Sequence, residues 1–179
     1  MSERVRAGDR RAVGLFTWLL ARASGTVTGT RPPRLFLVLG KHRRLFHGWL
    51  FFAARLMPGG LLPRRETELV ILRVAHLRGS EYEFEQHRRL GRRAGVGTQD
   101  VDRLLAGPTA AGWSDRERVL LAATDQLLAE RDLDDDTWAA VRRHLSEREA
   151  VELCLLVGHY DMLATVINVL RIPPDPPRR

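Results

Sequence analysis

The chain has 179 residues, of which 44% are hydrophobic, and a formal net charge of +7. This length and composition suffice for one globular domain with its own core. The charge alone does not indicate a nucleic-acid binder, because the arginines are scattered in short groups near acidic residues and no helix-turn-helix or finger motif accompanies them. A single cysteine, Cys154, excludes an intramolecular disulfide or a paired-thiol catalyst within one chain and favours a cytoplasmic location.

The N-terminal segment resembles a signal peptide in two respects: basic residues precede an apolar run over positions 12–21, and Ala-x-Ala follows at positions 21–23. Glu3 and Asp9 interrupt the basic region, however, and the charged Arg22 lies inside the supposed cleavage site. The segment is therefore expected to be a helix that packs on the domain or on a partner. No unbroken apolar run approaches the roughly 20 residues that span a membrane, so no membrane partner is expected.

Apolar periodicity and capping signals predict an all-α fold of about seven to eight helices. Two capping boxes, Ser114 with Glu117 and Ser146 with Glu149, mark helix starts. The predicted helices cover residues 10–23, 45–57, 64–77, 80–94, 98–105, 119–129, 135–145 and 151–170. Residues 24–30 are expected to connect two helices. The predicted organisation is an N-terminal extension and linker (1–31), one helical domain (32–172) and a Pro/Arg-rich tail (173–179) that is draped on the domain or disordered.

Two predicted helices are apolar on nearly every face. Residues 64–77 are expected to form a central, surrounded helix, and residues 151–170 either a core helix or an oligomer interface. The aromatic-rich segment 46–52 adds to the apolar surface. These features predict a homo-oligomer, either a dimer, a trimer or a hexamer.

Glu68, Glu83 and His87 are the candidate catalytic residues. Glu83 and His87 are four residues apart and share a helix face, an arrangement in which a carboxylate orients an imidazole for acid–base work. Glu68 reaches them only if the chain reverses at Gly79. A structural explanation competes, because Ser80 and Glu83 have the spacing of a capping box and an exposed pair of Glu83 with His87 would be an ordinary surface salt bridge.

The stretch Leu62-Pro63-Arg64-Arg65-Glu66-Thr67-Glu68-Leu69-Val70-Ile71-Leu72-Arg73-Val74-Ala75, the Glu-x-x-x-His pattern and Ala94-Gly95-Val96 resemble the carboxymuconolactone decarboxylase-like family. That family also contains the alkylhydroperoxidase D group. The resemblance continues through Gly158-His159-Tyr160-Asp161-Met162 and Asn168, so it covers roughly positions 33–170. It implies the alkylhydroperoxidase D-like helical fold.

The resemblance also implies which chemistry is lost. In the peroxidase branch the core motif is Cys-x-x-Cys-x-x-x-His with an upstream glutamate; aligned on His87, the two cysteines fall on Ser80 and Glu83 and the glutamate on Glu68. Thiol peroxidase activity is not expected, because disulfide exchange needs a thiolate. The decarboxylase branch, which resembles this chain in its Glu-x-x-x-His pattern, implies a cofactor-free lyase that removes carbon dioxide from a small carboxylated or lactone substrate.

By the same resemblance, His87 supplies a proton while Glu68 and Glu83 set its ionisation. Arg73 is a candidate for holding a substrate carboxylate. Tyr82, His159 and Tyr160 are further candidates for lining the substrate pocket, although Gly158 to Met162 replaces the Gly-x-Pro turn of the decarboxylases and puts the substrate in doubt. A metal site is not expected, because the histidines lack the spacing of known metal motifs. The alternative is a binding or structural member of the fold without catalysis.

Overall fold

A computed structural model describes residues 2–178, and this part of the chain folds into ten α-helices joined by short loops. The helices are α1 (Arg10–Val13), α2 (Leu15–Thr28), α3 (Arg34–Leu39), α4 (Arg43–Leu56), α5 (Arg64–Leu77), α6 (Glu81–Arg93), α7 (Thr98–Ala106), α8 (Asp115–Glu130), α9 (Asp135–His144) and α10 (Glu147–Leu170). Within the described residues there is no named strand, only an isolated bridge between Thr30 and Pro177. The all-α prediction is confirmed.

The helix boundaries differ from the prediction mainly at the N-terminal end. The short helices α1 and α3 raise the number beyond the predicted seven to eight, and α2 continues through residues 24–28, which were predicted to be a connection. The hydroxyl groups of Thr26 and Thr28 donate to carbonyls four residues earlier, at Arg22 and Ser24, so they bond along the helix without ending it. Gly29 ends α2 with a φ of 70°.

Helix α5 lies at the centre of the domain, with α6, α8, α10 and α7 packed around it. Its residues from Thr67 to Ala75 are all buried, which confirms the expectation of a surrounded helix. Helix α10 packs on α5, α8, α4 and α9 and is thus a core helix. By length and composition alone α10 would pass for a membrane span, with a mean hydropathy of 1.6, although the sequence contains no unbroken apolar run of that length.

Buried and half-buried ion pairs of arginine tie the helices together. Arg65 bonds both oxygens of Asp100, at 2.8 and 2.9 Å, and also Glu117. Arg116 pairs with Glu66 and Glu149, which joins α8 to α5 and α10. These arginines are therefore engaged in structural ion pairs between helices.

Over its described residues, 173–178, the C-terminal tail is draped on the domain. The side chain of Asp175 is buried: it accepts hydrogen bonds from the Tyr82 hydroxyl at 2.6 Å, the Gln86 side chain at 2.6 Å and the Arg34 amide at 2.9 Å. Backbone bonds from Arg31 to Pro176 and from Arg178 to Gly29 fix the rest. The tail thus joins α6 to the start of α3 and the end of α2.

Candidate functional site

The reversal between α5 and α6 brings together two of the three candidate catalytic residues. Gly79 takes a φ of 59°, a left-handed conformation that glycine adopts without strain, and lets α6 fold back along α5. As a result, Glu68 Oε2 lies 2.7 Å from His87 Nδ1 in the buried interior. A carboxylate accepts hydrogen bonds and cannot donate them, so Nδ1 is the donor and Nε2 is directed to other partners.

Glu68 is the most enclosed acid of the site, with a side chain that is 0% exposed. Its other oxygen, Oε1, lies 2.7 Å from Arg64 Nη2, within ion-pairing distance, although the two groups are not aligned as a hydrogen bond. Arg64 begins α5 and its side chain is partly exposed. The charge of the arginine offsets part of the cost of burying the carboxylate. Arg64, Glu68 and His87 therefore form a chain of charged and polar groups.

The capping box suggested by Ser80 and Glu83 is not formed. A capping box needs the Ser80 amide as a donor to Glu83, but that amide donates to the carbonyl of Ala75 at 2.8 Å to close the end of α5. The Ser80 hydroxyl makes no capping hydrogen bond either. The structural explanation for these two residues thus does not hold.

Glu83 is a buried carboxyl group with no well-aligned hydrogen bond to a described residue. Its exposed fraction is 2%, and neither oxygen has a partner of acceptable geometry, although the Ser80 hydroxyl is near. Burial raises the pKa of Glu83 to about 8; the Ser80 hydroxyl opposes the rise and the negative charge of Asp161 adds to it. At neutral pH this side chain is therefore mostly a protonated acid, which can donate a proton or a hydrogen bond.

Helix α10 contributes His159 and Tyr160 to the same site. The Tyr160 ring meets the rings of His87 and His159 edge to face, each with centroids 5.1 Å apart. Burial, with a smaller electrostatic contribution from nearby His87, lowers the pKa of His159 to about 4, so this imidazole is neutral at pH 7. Its Nδ1 is buried without a partner among the described residues. Burial also raises the pKa of Tyr160 well above its usual value, so its hydroxyl remains protonated.

These residues line a cavity of about 630 Å³. Its polar lining includes Arg64, Glu83, His87, His159 and Tyr160, while Glu68 lies behind His87. Most of the remaining wall is apolar and comes from α2, α3, α4, α6 and α10. The volume is within the range of about 300–1,000 Å³ that is typical of small-molecule sites. The arrangement can bind a small molecule and exchange protons with it.

Of the predicted pocket residues, Arg73 lies outside the cavity, and Tyr82 lines it with its hydroxyl already hydrogen-bonded. Arg73 does not line the cavity: its guanidinium bonds both oxygens of Asp125, at 2.6 and 2.7 Å, and the carbonyl of Leu104 at 2.7 Å. This bidentate pair joins α5 to α8 and corrects the expectation that Arg73 holds a substrate carboxylate. Tyr82 does line the cavity, but its hydroxyl is bonded to Asp175.

Sequence reasoning missed Arg64 and Trp49, which both belong to the cavity wall. Arg64 precedes Glu68 by four residues, so helical spacing could have placed them together. Trp49 stacks on His159 with ring centroids 6.1 Å apart. No local pattern indicates that contact, because it joins residues more than a hundred positions apart.

Among the described residues, the cavity wall contains no cysteine. The lone Cys154 lies on α10, lines a different cavity with Asp161 and Trp138, and burial raises the pKa of its thiol. In residues 2–178 no group of three or more His, Cys, Asp or Glu side chains is arranged to hold a metal ion.

Comparisons with known proteins agree with this reading of the fold. Residues 43–126 match the model of the carboxymuconolactone decarboxylase family, a range that contains Glu68, Glu83 and His87. No curated protein matches the chain. The likeness to solved structures is in the fold alone, since their sequence identity to this chain is low.

Three solved structures illustrate the shared fold. An alkylhydroperoxidase AhpD core protein from Ralstonia eutropha JMP134, described as an uncharacterized peroxidase-related protein, is 16% identical with a TM-score of 0.84 and covers 96% of this chain and 92% of its own. An uncharacterized peroxidase-related protein from Silicibacter sp. TM1040 is 15% identical with a TM-score of 0.82, covering 97% and 94%. A variant of the debrominase Bmp8, in complex with 2,3,4-tribromopyrrole, is 17% identical with a TM-score of 0.79, covering 96% and 91%.

The family match covers α5 and α6, which hold Glu68, Glu83 and His87, but not α10, whereas the shared fold covers nearly the whole chain. Positions 80 and 83, where the resemblance places the two cysteines of the peroxidase motif, hold serine and glutamate. The chain is therefore similar to the carboxymuconolactone decarboxylase family over residues 43–126 and has an alkylhydroperoxidase D-like fold, without cysteines at the two Cys-x-x-Cys positions.

Proposed function

We propose that this protein is an acid–base enzyme that removes carbon dioxide from a small carboxylated or lactone substrate, or moves a proton on it, without thiol redox chemistry. The observation that carries the proposal is the buried pair of Glu68 and His87, 2.7 Å apart, beside a cavity that also contains the protonated Glu83. An acid with a raised pKa, close to a histidine paired with a second acid at one cavity, is typical of catalytic sites. The Bmp8 complex supports a small-molecule ligand, because there the same fold holds a small ring compound.

The reaction requires a place for an electron pair and a source for a proton. When the bond to the carboxyl carbon breaks, carbon dioxide leaves and the electron pair moves onto an adjacent carbonyl oxygen of the substrate as an enolate. The enolate carbon then takes up a proton. Both events place changing charge beside the buried side chains of Glu68, Glu83 and His87, where oriented polar groups act most strongly.

His87 is the proposed proton donor to carbon. With Nδ1 held by Glu68, its Nε2 makes no hydrogen bond with a described residue, and the ring lines the cavity. The imidazolium form transfers its Nε2 proton to the enolate carbon and becomes neutral imidazole. Glu68 acts as a positioning residue, because its carboxylate fixes the ring and stabilises the cationic form before transfer.

Glu83 is the proposed hydrogen-bond donor to the enolate oxygen. A carboxyl group with a pKa of about 8 keeps its proton at neutral pH, and both of its oxygens are free of other well-aligned bonds. A neutral acid can donate to developing negative charge, whereas an ionised one would repel it. Arg64, whose Nη1 has no hydrogen-bond partner among the described residues, is the proposed contact for the anionic group of the substrate.

The test is a screen of small carboxylic and lactone acids for carbon dioxide release. For any acid that the protein converts, His87→Ala is expected to lower kcat by about two orders of magnitude or more. The matched control is His76→Ala, because His76 is exposed at the end of α5 and lies outside the cavity. Carbon dioxide release that survives in His87→Ala would contradict the proposed role. A screen without any turnover would favour the alternative of a non-catalytic binding or structural member.

A further inference from the structure

The distribution of charge and apolar surface in the cavity defines a substrate class, an inference that rests on the proposed function. Among the described residues that line the cavity, Arg64 is the one arginine, and no lysine is present. The two lining histidines and Glu83 are on the same side as Arg64, around the Glu68–His87 pair. Arg64 is therefore the one permanently charged cation of the described wall, and it lies beside this cluster.

The rest of the described wall holds no second arginine or lysine to offset a second negative charge. Fourteen lining residues are apolar, the two tyrosines not counted, and they include Leu20 of α2, Leu35 of α3, Trp49 and Leu50 of α4, and Leu163 of α10. Burying an unpaired carboxylate against such side chains costs several kcal/mol, whereas burying a hydrocarbon chain or ring there is favourable. The Tyr82 hydroxyl and the Gln86 side-chain NH2 group, which belong to other lining residues, donate hydrogen bonds to Asp175.

Helix α2 shows how far the apolar part extends. Its residues Leu20, Ala23 and Val27 recur at helical spacing and all line the cavity, together with Ser24 and Thr28. Helix α4 and the residue after it contribute a second row of lining residues, Leu50, Ala53, Ala54 and Met57. An apolar body several carbons long can thus lie between α2 and α4 while its head group remains at Arg64.

We propose that the cavity takes amphiphilic monocarboxylates, with the carboxylate at Arg64 and an apolar chain or ring between α2 and α4, and that it discriminates against dicarboxylates. The small lactone diacids suggested by the family name would place one carboxylate against the apolar wall. The substrate is accordingly a hydrophobic acid with a single negative charge.

The test measures binding, so that it does not depend on turnover. Octanoate is titrated into the full-length protein by calorimetry, beside suberate, which carries a second carboxylate at the far end of a chain of the same length, and octanol, which carries none. We expect octanoate to bind more tightly than suberate by roughly tenfold or more. Equal or tighter binding of suberate would overturn the proposal.

Variants at Arg64 and at Ala53 test separately the contact with the carboxylate and the contact with the apolar wall. Arg64→Gln is expected to weaken octanoate binding roughly tenfold while leaving octanol binding unchanged, and Arg64→Lys to restore part of the loss. The control is Arg55→Gln, because Arg55 is an exposed arginine of α4 outside the cavity wall. Ala53→Phe is expected to reduce octanoate affinity more than butyrate affinity, because it fills space between α2 and α4. Octanoate binding that is unaffected by Arg64→Gln would place the ligand elsewhere.

Failure of this inference and failure of the proposed function give different results. If octanoate binds through Arg64 but no acid releases carbon dioxide or exchanges a proton, the substrate class stands and the catalytic proposal fails. If a diacid is turned over with dependence on His87 while octanoate does not bind, the catalytic proposal stands and the substrate class is overturned.

Discussion

The backbone amide of Ser80 donates to the carbonyl of Ala75 at 2.8 Å, and this single bond leaves the Glu83 carboxyl group without its expected capping partner. The amide ends α5, so it is not available at the start of α6. Glu83 is consequently buried at the position where the family resemblance places a cysteine. The hydrogen bond that ends α5 thereby leaves Glu83 of α6 without a capping partner in the cavity wall.

The raised pKa of Glu83 predicts a pH-dependent stability. The unfolded chain ionises this carboxyl group near 4.5, whereas the folded protein holds its proton up to about 8. The unfolded state therefore binds fewer protons between these values, and the stability contribution, fully present below pH 4.5, is lost as the pH rises towards 8. Relative to Glu83→Gln, wild-type protein is expected to lose on the order of 3 to 5 kcal/mol of unfolding free energy across this window.

Urea denaturation at a series of pH values measures this difference. Glu81→Gln is the matched control, because Glu81 is an exposed acid two positions away on α6. It should reproduce the wild-type pH dependence. Parallel curves for wild-type protein and Glu83→Gln would show that Glu83 ionises normally in the folded state.

Glu68 is predicted to position His87 more than to hold the fold together. Glu68→Gln keeps an acceptor oxygen for Nδ1 but removes the negative charge that stabilises the imidazolium form. With a substrate from the carbon dioxide screen, we expect kcat to fall about a hundredfold while unfolding free energy changes by roughly 1 kcal/mol. Glu68→Ala, which leaves buried Nδ1 without an acceptor, should in addition destabilise the protein. An unchanged kcat in Glu68→Gln would argue against the positioning role.

Asp175 is predicted to be the main anchor of the C-terminal tail. Asp175→Ala leaves three donors without their acceptor: the Tyr82 hydroxyl, the Gln86 amide and the Arg34 backbone amide. We expect a loss of unfolding free energy of about 3 kcal/mol, measured by urea denaturation. Asp102→Ala, at an exposed position of α7, serves as the control and should be nearly neutral. A neutral effect of Asp175→Ala would mean that the tail contributes little to the fold.

The exposed apolar side chains support the expectation of a homo-oligomer. Leu15, Phe16 and Leu19 of α2 and Leu45 and Phe51 of α4 are each more than half exposed. Phe16 contacts His47 with ring centroids 5.4 Å apart, so the exposed rows of the two helices lie side by side. We expect a dimer or larger assembly by light scattering, and a smaller species for the double variant Phe16→Glu with Leu19→Glu. A monomeric wild-type protein would contradict this expectation.

The sequence predicts most of the fold because its signals are local. The boundaries of α5 follow from Pro63 and Gly79, and those of α8 and α10 from the capping boxes at Ser114 and Ser146. The extension of α2 to Thr28 could not be anticipated, because glycine and threonine within residues 24–30 are also typical of a loop. There the hydroxyl groups bond back along the helix.

The site was only partly predictable for a different reason. Helical spacing and the family resemblance pointed to Glu68, Glu83 and His87, but the neutral state of His159 and the role of Asp175 depend on contacts between distant segments. Arg73 shows the opposite case. From the sequence, an arginine on the central helix could bind either a substrate carboxylate or an acidic side chain of a neighbouring helix. In the structure Arg73 pairs with Asp125 of α8.

The most direct test of the acid–base account is solvent proton exchange on a bound carbon acid. The protein is incubated in D2O with the acids of the screen, and loss of the proton next to the carbonyl group is followed by NMR. The account predicts that wild-type protein and His76→Ala exchange this proton at the same enhanced rate and that His87→Ala lowers the rate by about a hundredfold. Exchange that proceeds equally fast in His87→Ala and wild-type protein would contradict the account.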